Sequence, residues 1–175
     1  MDYAISRKGT RLSVRSQKLL KAIHIYFACI WGGAAASLFA IHCLFTPETG
    51  PELYTRNISL IYIDNYVIIP AAIGCLLTGL IHSHMTKWGY VKYRWIVVKW
   101  VVTIVFLSLG FFWFVPWLNQ MAESSLAFRS EGTIKPSDHA LMSLHMLIAT
   151  GQSILVLLLV IISVMKPWGK NRFCK

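Results

Sequence analysis

Four long apolar runs, at about 20–45, 60–84, 95–118 and 140–165, constrain this chain more than any other feature. A helix needs about 20 mostly apolar residues to cross the roughly 30 Å hydrocarbon core of a bilayer. Backbone polar groups inside lipid must be paired within the protein, so runs of this kind are read as helices. The expected fold is all-α, a four-helix transmembrane bundle. The connectors support the division. Thr46-Pro47-Glu48-Thr49-Gly50-Pro51 breaks the first helix and Lys87-Trp88-Gly89-Tyr90 marks the second turn. Gly132 to Ser137 precedes the fourth span, and Lys166-Pro167-Trp168-Gly169 closes it. Only 14% of residues are charged, where a soluble domain carries about 25%. The first run is too long for a signal-peptide core and lacks a convincing cleavage site, so it is read as a mature span.

The formal charge of +10 is a matter of placement. Arg7, Lys8, Arg11, Arg15, Lys18 and Lys21 precede or open the first span. Lys87, Lys92, Arg94 and Lys99 surround the second turn, and Lys166, Lys170, Arg172 and Lys175 lie at the C-terminal end. Only Arg56, Arg129 and Lys135 fall on the other side, with six of the seven acids. Such asymmetry places both termini in the cytoplasm and sets the basic residues against anionic headgroups. It predicts a multi-pass protein of a bacterial cytoplasmic (inner) membrane, with the lipid bilayer as its partner and no nucleic acid. Residues 1–18 form a basic extension, 19–166 the transmembrane domain and 167–175 a cytoplasmic tail. Trp88, Trp95, Trp113, Trp117 and Trp168 are expected near the interfaces. The cysteines Cys29, Cys43, Cys75 and Cys174 have no CxxC spacing, which argues against a disulfide framework or zinc site.

Ionisable side chains within spans face the bundle interior or a polar cavity. His24 and His42 are 18 residues apart, five helical turns and about 27 Å, so they share one face of the first helix. Asp64 and His82 repeat that spacing on the second helix. With the helices antiparallel, His24 is expected at the depth of His82, and His42 at the depth of Asp64. The third helix adds Lys99, and the fourth adds His145 with Gln152 two turns away. Two clusters are predicted: His24, His82 or His84, and Lys99 at the cytoplasmic end; His42, Asp64 and His145 at the other. Opposed histidines in a helical bundle suit a b-type haem. His24 and His82 are the expected metal ligands, bordering a cavity lined by Ala28, Thr78 and Trp31. For any one histidine an interfacial or packing role competes with this. His139, Met142, His145 and Met146 have the softness of copper ligands, but ordinary helix and interface roles explain them better. Asp64 is expected to contact His42, or else to serve a helix N-terminus.

At these residues a resemblance emerges. Leu20-Lys21-Ala22-Ile23-His24 followed by Trp31-Gly32-Gly33 looks like the first-helix signature of the copper-resistance-protein-D-like membrane group. Asp64-Asn65-Tyr66, Ile69-Pro70-Ala71 and Leu77-Thr78-Gly79-Leu80 continue it. It extends through Trp88-Gly89-Tyr90 and Arg94-Trp95-Ile96-Val97-Val98-Lys99-Trp100 to Lys166-Pro167-Trp168. The chain most resembles an uncharacterised family of bacterial integral membrane proteins in that group. It is more distantly similar to the membrane protoporphyrinogen oxidase of bacterial haem synthesis, which implies a haem-associated role for His24 and Lys99. That enzyme's basic second-helix motif is not evident here, and His82 and His145 are not part of the shared pattern.

Three functions follow as expectations. The first is a membrane haem-binding redox protein with His24 as axial ligand, passing electrons or oxidising a porphyrin or quinol. The second is copper handling or small-solute transport through the outer His and Met residues. The third is a non-catalytic membrane subunit. Quinone, porphyrin, a second copy of the chain or another subunit are the partners these readings imply.

Overall fold

In the computed structural model, which describes residues 12–85, 89–126 and 136–169, the chain folds into four long helices. Helix α1 spans Val14–Leu44. Helix α2 is continuous over Gly50–Met85, with a π-helical turn at Asp64–Ile68. Helix α3 comprises Arg94–Leu109, a π-helical turn at Gly110–Phe114, and Val115–Leu126. Helix α4 spans Pro136–Met165. Each contains a stretch long and apolar enough to cross a membrane. Large apolar side chains such as Phe111, Phe112, Leu147 and Val164 are exposed on its outside. So much apolar surface suits lipid and not water, and the protein is a multi-pass membrane protein. Arg7, Lys8, Arg11, Lys87, Trp88, Arg129, Lys135 and the residues from Lys170 onward lie outside the described residues.

Two helices begin earlier than hydropathy alone suggests. Ser13 caps α1 by accepting from the Ser16 N–H at 3.2 Å, so residues 14–18 of the basic extension are helical. Helix α2 starts at Gly50, ten residues before the expected span. Thr49 Oγ1 accepts from the Glu52 N–H at 3.4 Å, and the Glu52 carboxylate accepts from the Glu48 N–H at 2.9 Å. Pro51 occupies the first turn, where its missing N–H is harmless. This side-chain cap, akin to a capping box, carries a polar decapeptide into the helix.

The two π turns share a cause. Each ends two residues before a proline: Ile68 precedes Ile69-Pro70, and Phe114 precedes Val115-Pro116. A proline ring collides with the carbonyl four residues back in an ordinary helix. Widening the preceding turn relieves that collision. The Ile69 N–H donates to the Asp64 carbonyl and the Val115 N–H to the Gly110 carbonyl, each reaching back five residues. Pi turns of this kind recur at functional sites.

The packing is set by small residues on α2. The stripe Ala71, Ala72, Gly74, Cys75 and Thr78 is buried, and residues Ile69–Met85 lie against α1. Phe27 rests on Gly74 so closely that an added Cβ would come within 2.6 Å of its ring. Small residues permit this approach, and dispersion forces hold it in the absence of a hydrophobic drive between helices. Helix α4 covers another side of α1, where Ser153 Oγ donates to the Ala35 carbonyl at 3.1 Å. By contrast Gly50–Ile63 packs on Val115–Leu126 of α3. Helix α2 therefore changes partners along its length, with its π turn at the changeover. Only 6% of the apolar stretch of α3 is buried, against 28% for α1, so α3 is a peripheral brace.

Candidate functional site

The polar side chains within the bundle form two groups. The basic end is the end where Lys21, Met85, Arg94 and Met165 lie; the acidic end is where Leu44 meets Gly50.

At the basic end, His24 Nδ1 lies 2.8 Å from Thr78 Oγ1. The Thr78 hydroxyl has a single proton, and Oγ1 lies 2.6 Å from the Gly74 carbonyl. Carbonyls only accept, so the proton points there and Thr78 must accept from His24. This fixes the neutral imidazole as its Nδ1–H form and leaves the Nε2 lone pair available. Lys99 Nζ donates to Ser163 Oγ at 2.7 Å, tying α3 to α4. Of the expected basic-end group, His24 bonds to Thr78 and Lys99 to Ser163. His84 is exposed and its ring lies 6.1 Å from that of Tyr90, the interfacial role open to one of this pair.

The depth assignment needs correction. His24 meets α2 at Thr78, with its ring also in van der Waals reach of Gly79. Thr78 is four residues, about 6 Å, from His82. The seating of Phe27 on Gly74 sets this register. Of the residues expected to line a cavity there, Thr78 and Trp31 are buried, and the Trp31 ring lies 5.7 Å from that of Phe106.

At the acidic end, the expected contact between His42 and Asp64 does not form. Arg56 takes that place: its Nη2 bonds to His42 Nδ1. The cause is the early start of α2, which turns Arg56 from an outer-side charge into a helical residue 3% exposed. His42 Nε2 in turn lies 2.6 Å from His145 Nδ1. A guanidinium has no acceptor, so His42 Nδ1 accepts from it. His42 then donates from Nε2 to His145 Nδ1, and the neutral His145 carries its proton on Nε2. Arg56 Nε and Nη1 and Asn57 Oδ1 are buried with no partner among the described residues.

Beside this chain lies a cavity of about 290 Å³ lined by all four helices. His145, Gln152 and Asp64 supply polar groups; Phe106, Phe114 and Trp117 supply aromatic walls. Both π turns border it, through Asp64 and Ile68 and through Gly110 to Phe112. Asp64 therefore shares a cavity with His145 and bonds through its side chain to no described residue. The Trp117 ring borders the same cavity, 5.5 Å from that of His145.

Arg56 is the residue that sequence reasoning missed. The signal was present in Thr49-Gly50-Pro51-Glu52, a helix-start pattern that places Arg56 nearly two turns inside α2. Met146 is 40% exposed. No group of three or more His, Cys, Asp or Glu side chains that could hold a metal ion occurs among the described residues. Comparison with protein families, with characterised proteins and with solved structures gives no match.

Proposed function

We propose that this chain is a membrane redox protein that holds a b-type haem through His24 at its basic end. The observation that carries this reading is the hydrogen bond from His24 Nδ1 to Thr78, itself anchored on the Gly74 carbonyl. Histidines that ligate metals are usually held this way, with the second ring nitrogen donating to a fixed acceptor. The donor chemistry fits an axial ligand, since Nε2 keeps its lone pair. The packing fits one imidazole better than two. A macrocycle between His24 and His82 would require α1 and α2 to part where Phe27 seats on Gly74. His82 and Lys99 are then neighbours of the ligand, and Lys99 suits a carboxylate substituent of the ring.

A bound haem would supply one-electron transfer, and the residues around it hold and orient it. The likeness to haem-associated membrane families on His24 and Lys99 supports the same choice. The basic end faces the cytoplasm of a bacterial inner membrane on the placement of Lys and Arg. Reporters fused after Lys175 should read cytoplasmic, and those at Gly50 external.

The test is a reduced-minus-oxidised absorption spectrum of the purified wild type and of His24→Ala and His82→Ala. The reading predicts a haem signal lost in His24→Ala and retained in His82→Ala. Loss in both returns the two-imidazole form, and absence from the wild type removes haem altogether.

A further inference from the structure

The cavity at the acidic end has features that a packing role leaves unexplained. It is walled by aromatic rings, yet His145 and Gln152 present polar groups to it from α4 and Asp64 presents one from α2. Gln152 is nine-tenths buried and its side chain bonds to no described residue. The residue lines the cavity, where a bound molecule can partner its amide. Phe111 and Phe112, on the rim, are 67% and 77% exposed on the outside of the bundle, so the cavity communicates with the acyl-chain region. Few convergent polar groups in an otherwise apolar pocket are the general form of a small-molecule site.

The hydrogen-bond chain states which kind of molecule. Arg56 donates to His42, and His42 donates to His145. Arginine does not give up its proton in proteins, so the chain cannot act as a proton wire through Arg56. It is an orienting device. With Nδ1 taken by His42, the one hydrogen-bonding atom left on the neutral His145 ring is Nε2–H, a donor. Gln152 follows on the same face of α4 seven residues later, its backbone about 10.5 Å along the helix axis. That span suits a six-membered ring with an oxygen and a hydrogen bond at each end.

We propose that this cavity binds the head group of a lipid-soluble quinone, with His145 Nε2–H donating to one ring carbonyl. Gln152 donates to the other, and Phe114 and Trp117 flank the ring plane. The tail leaves past Phe111 and Phe112 into lipid. Because His145 is held as a donor, the oxidised quinone binds in preference to the quinol. Arg56 and His42 are positioning residues that act through His145. The site goes beyond the haem reading and does not depend on it, since quinone can bind whether or not haem does.

The test uses the full chain in lipid nanodiscs and an azido-benzoquinone carrying a short isoprenoid tail. Photolabelling should concentrate on residues 106–118 and 145–152 and be suppressed by excess unlabelled quinone. His145→Leu and Gln152→Leu should each weaken binding about tenfold, the effect of one lost hydrogen bond. His42→Leu should weaken it similarly, whereas His42→Gln should not, because glutamine can accept from Arg56 and donate to His145. If His42→Leu does not accumulate, Gln152→Leu keeps the test decisive, since it leaves the hydrogen-bond chain intact. Label spread evenly over lipid-facing residues would overturn the proposal. Equal suppression by a fatty-acid methyl ester would also overturn it, by assigning the cavity to a lipid carbonyl. A His42→Leu protein with wild-type affinity would refute the orienting role.

Discussion

The two ends of the bundle use the same side chain and direct it in opposite senses. At the basic end hydrogen bonds run away from His24, through Thr78 to the Gly74 carbonyl, and the imidazole is left with a lone pair. At the acidic end they run toward His145, from Arg56 through His42, and the imidazole is left with an N–H. One end leaves a lone pair, which the proposed haem would need; the other leaves an N–H that can give a hydrogen bond. The lesson is that what a buried histidine can do is decided by the group at the far end of its hydrogen-bond chain. A carbonyl there leaves a lone pair, and a guanidinium leaves a donor.

The largest expected effect breaks the acidic end. His42→Leu strands the buried Arg56 and should cost about 3 kcal/mol, the range for a lost bond to a charged group with its partner left unpaired. Adding Arg56→Met should recover most of that loss, as thermal unfolding in detergent can measure. A double variant no more stable than His42→Leu alone would mean that Arg56 has another means of support. Next, Gly74→Ala should cost about 1–3 kcal/mol, because the new Cβ would lie 2.6 Å from the Phe27 ring. Gly33 has nothing within 4 Å of such a Cβ. Gly33→Ala should therefore be neutral or stabilise by up to about 1 kcal/mol through helix propensity. Equal effects at the two glycines would deny that the α1–α2 contact sets the register of His24.

A smaller effect sharpens the basic end. Thr78→Val keeps shape but removes the acceptor for His24, at about 1 kcal/mol; Thr78→Ser should restore it. Any haem signal should shift or weaken in the valine variant and return in the serine variant. An unchanged signal in Thr78→Val would separate the ligand from its orienting bond. The smallest effect belongs to the outside. Phe112→Leu, on a lipid-facing surface, should stay within about 0.5 kcal/mol of the wild type. A loss of several times that would place a protein neighbour on this face.

The four spans were legible because lipid imposes a length and a composition that the sequence must show. The same rule, that the depth of a residue follows from its distance to a helix end, put His24 one helical turn from its contact at Thr78. The acidic end failed on that very count. Residues 50–59 include Glu52, Arg56 and Asn57 and read as an aqueous loop, yet they form the first turns of α2. A ten-residue error in the start of one helix exchanged Arg56 for Asp64 as the partner of His42. The π turns were not predicted, although Pro70 and Pro116 mark both. A proline inside a membrane helix shows that the backbone must adjust, and the surrounding packing selects the adjustment. The cavity depends on α2 changing partners between α3 and α1, which no property of α2 alone reveals.

The most direct test of the opposed wiring is a reduced-minus-oxidised spectrum of wild type, His24→Ala and His42→Ala prepared side by side. The account predicts a haem band in the wild type, its loss in His24→Ala and its retention in His42→Ala. A wild type with no band, or a band that survives in His24→Ala and disappears in His42→Ala, would contradict it.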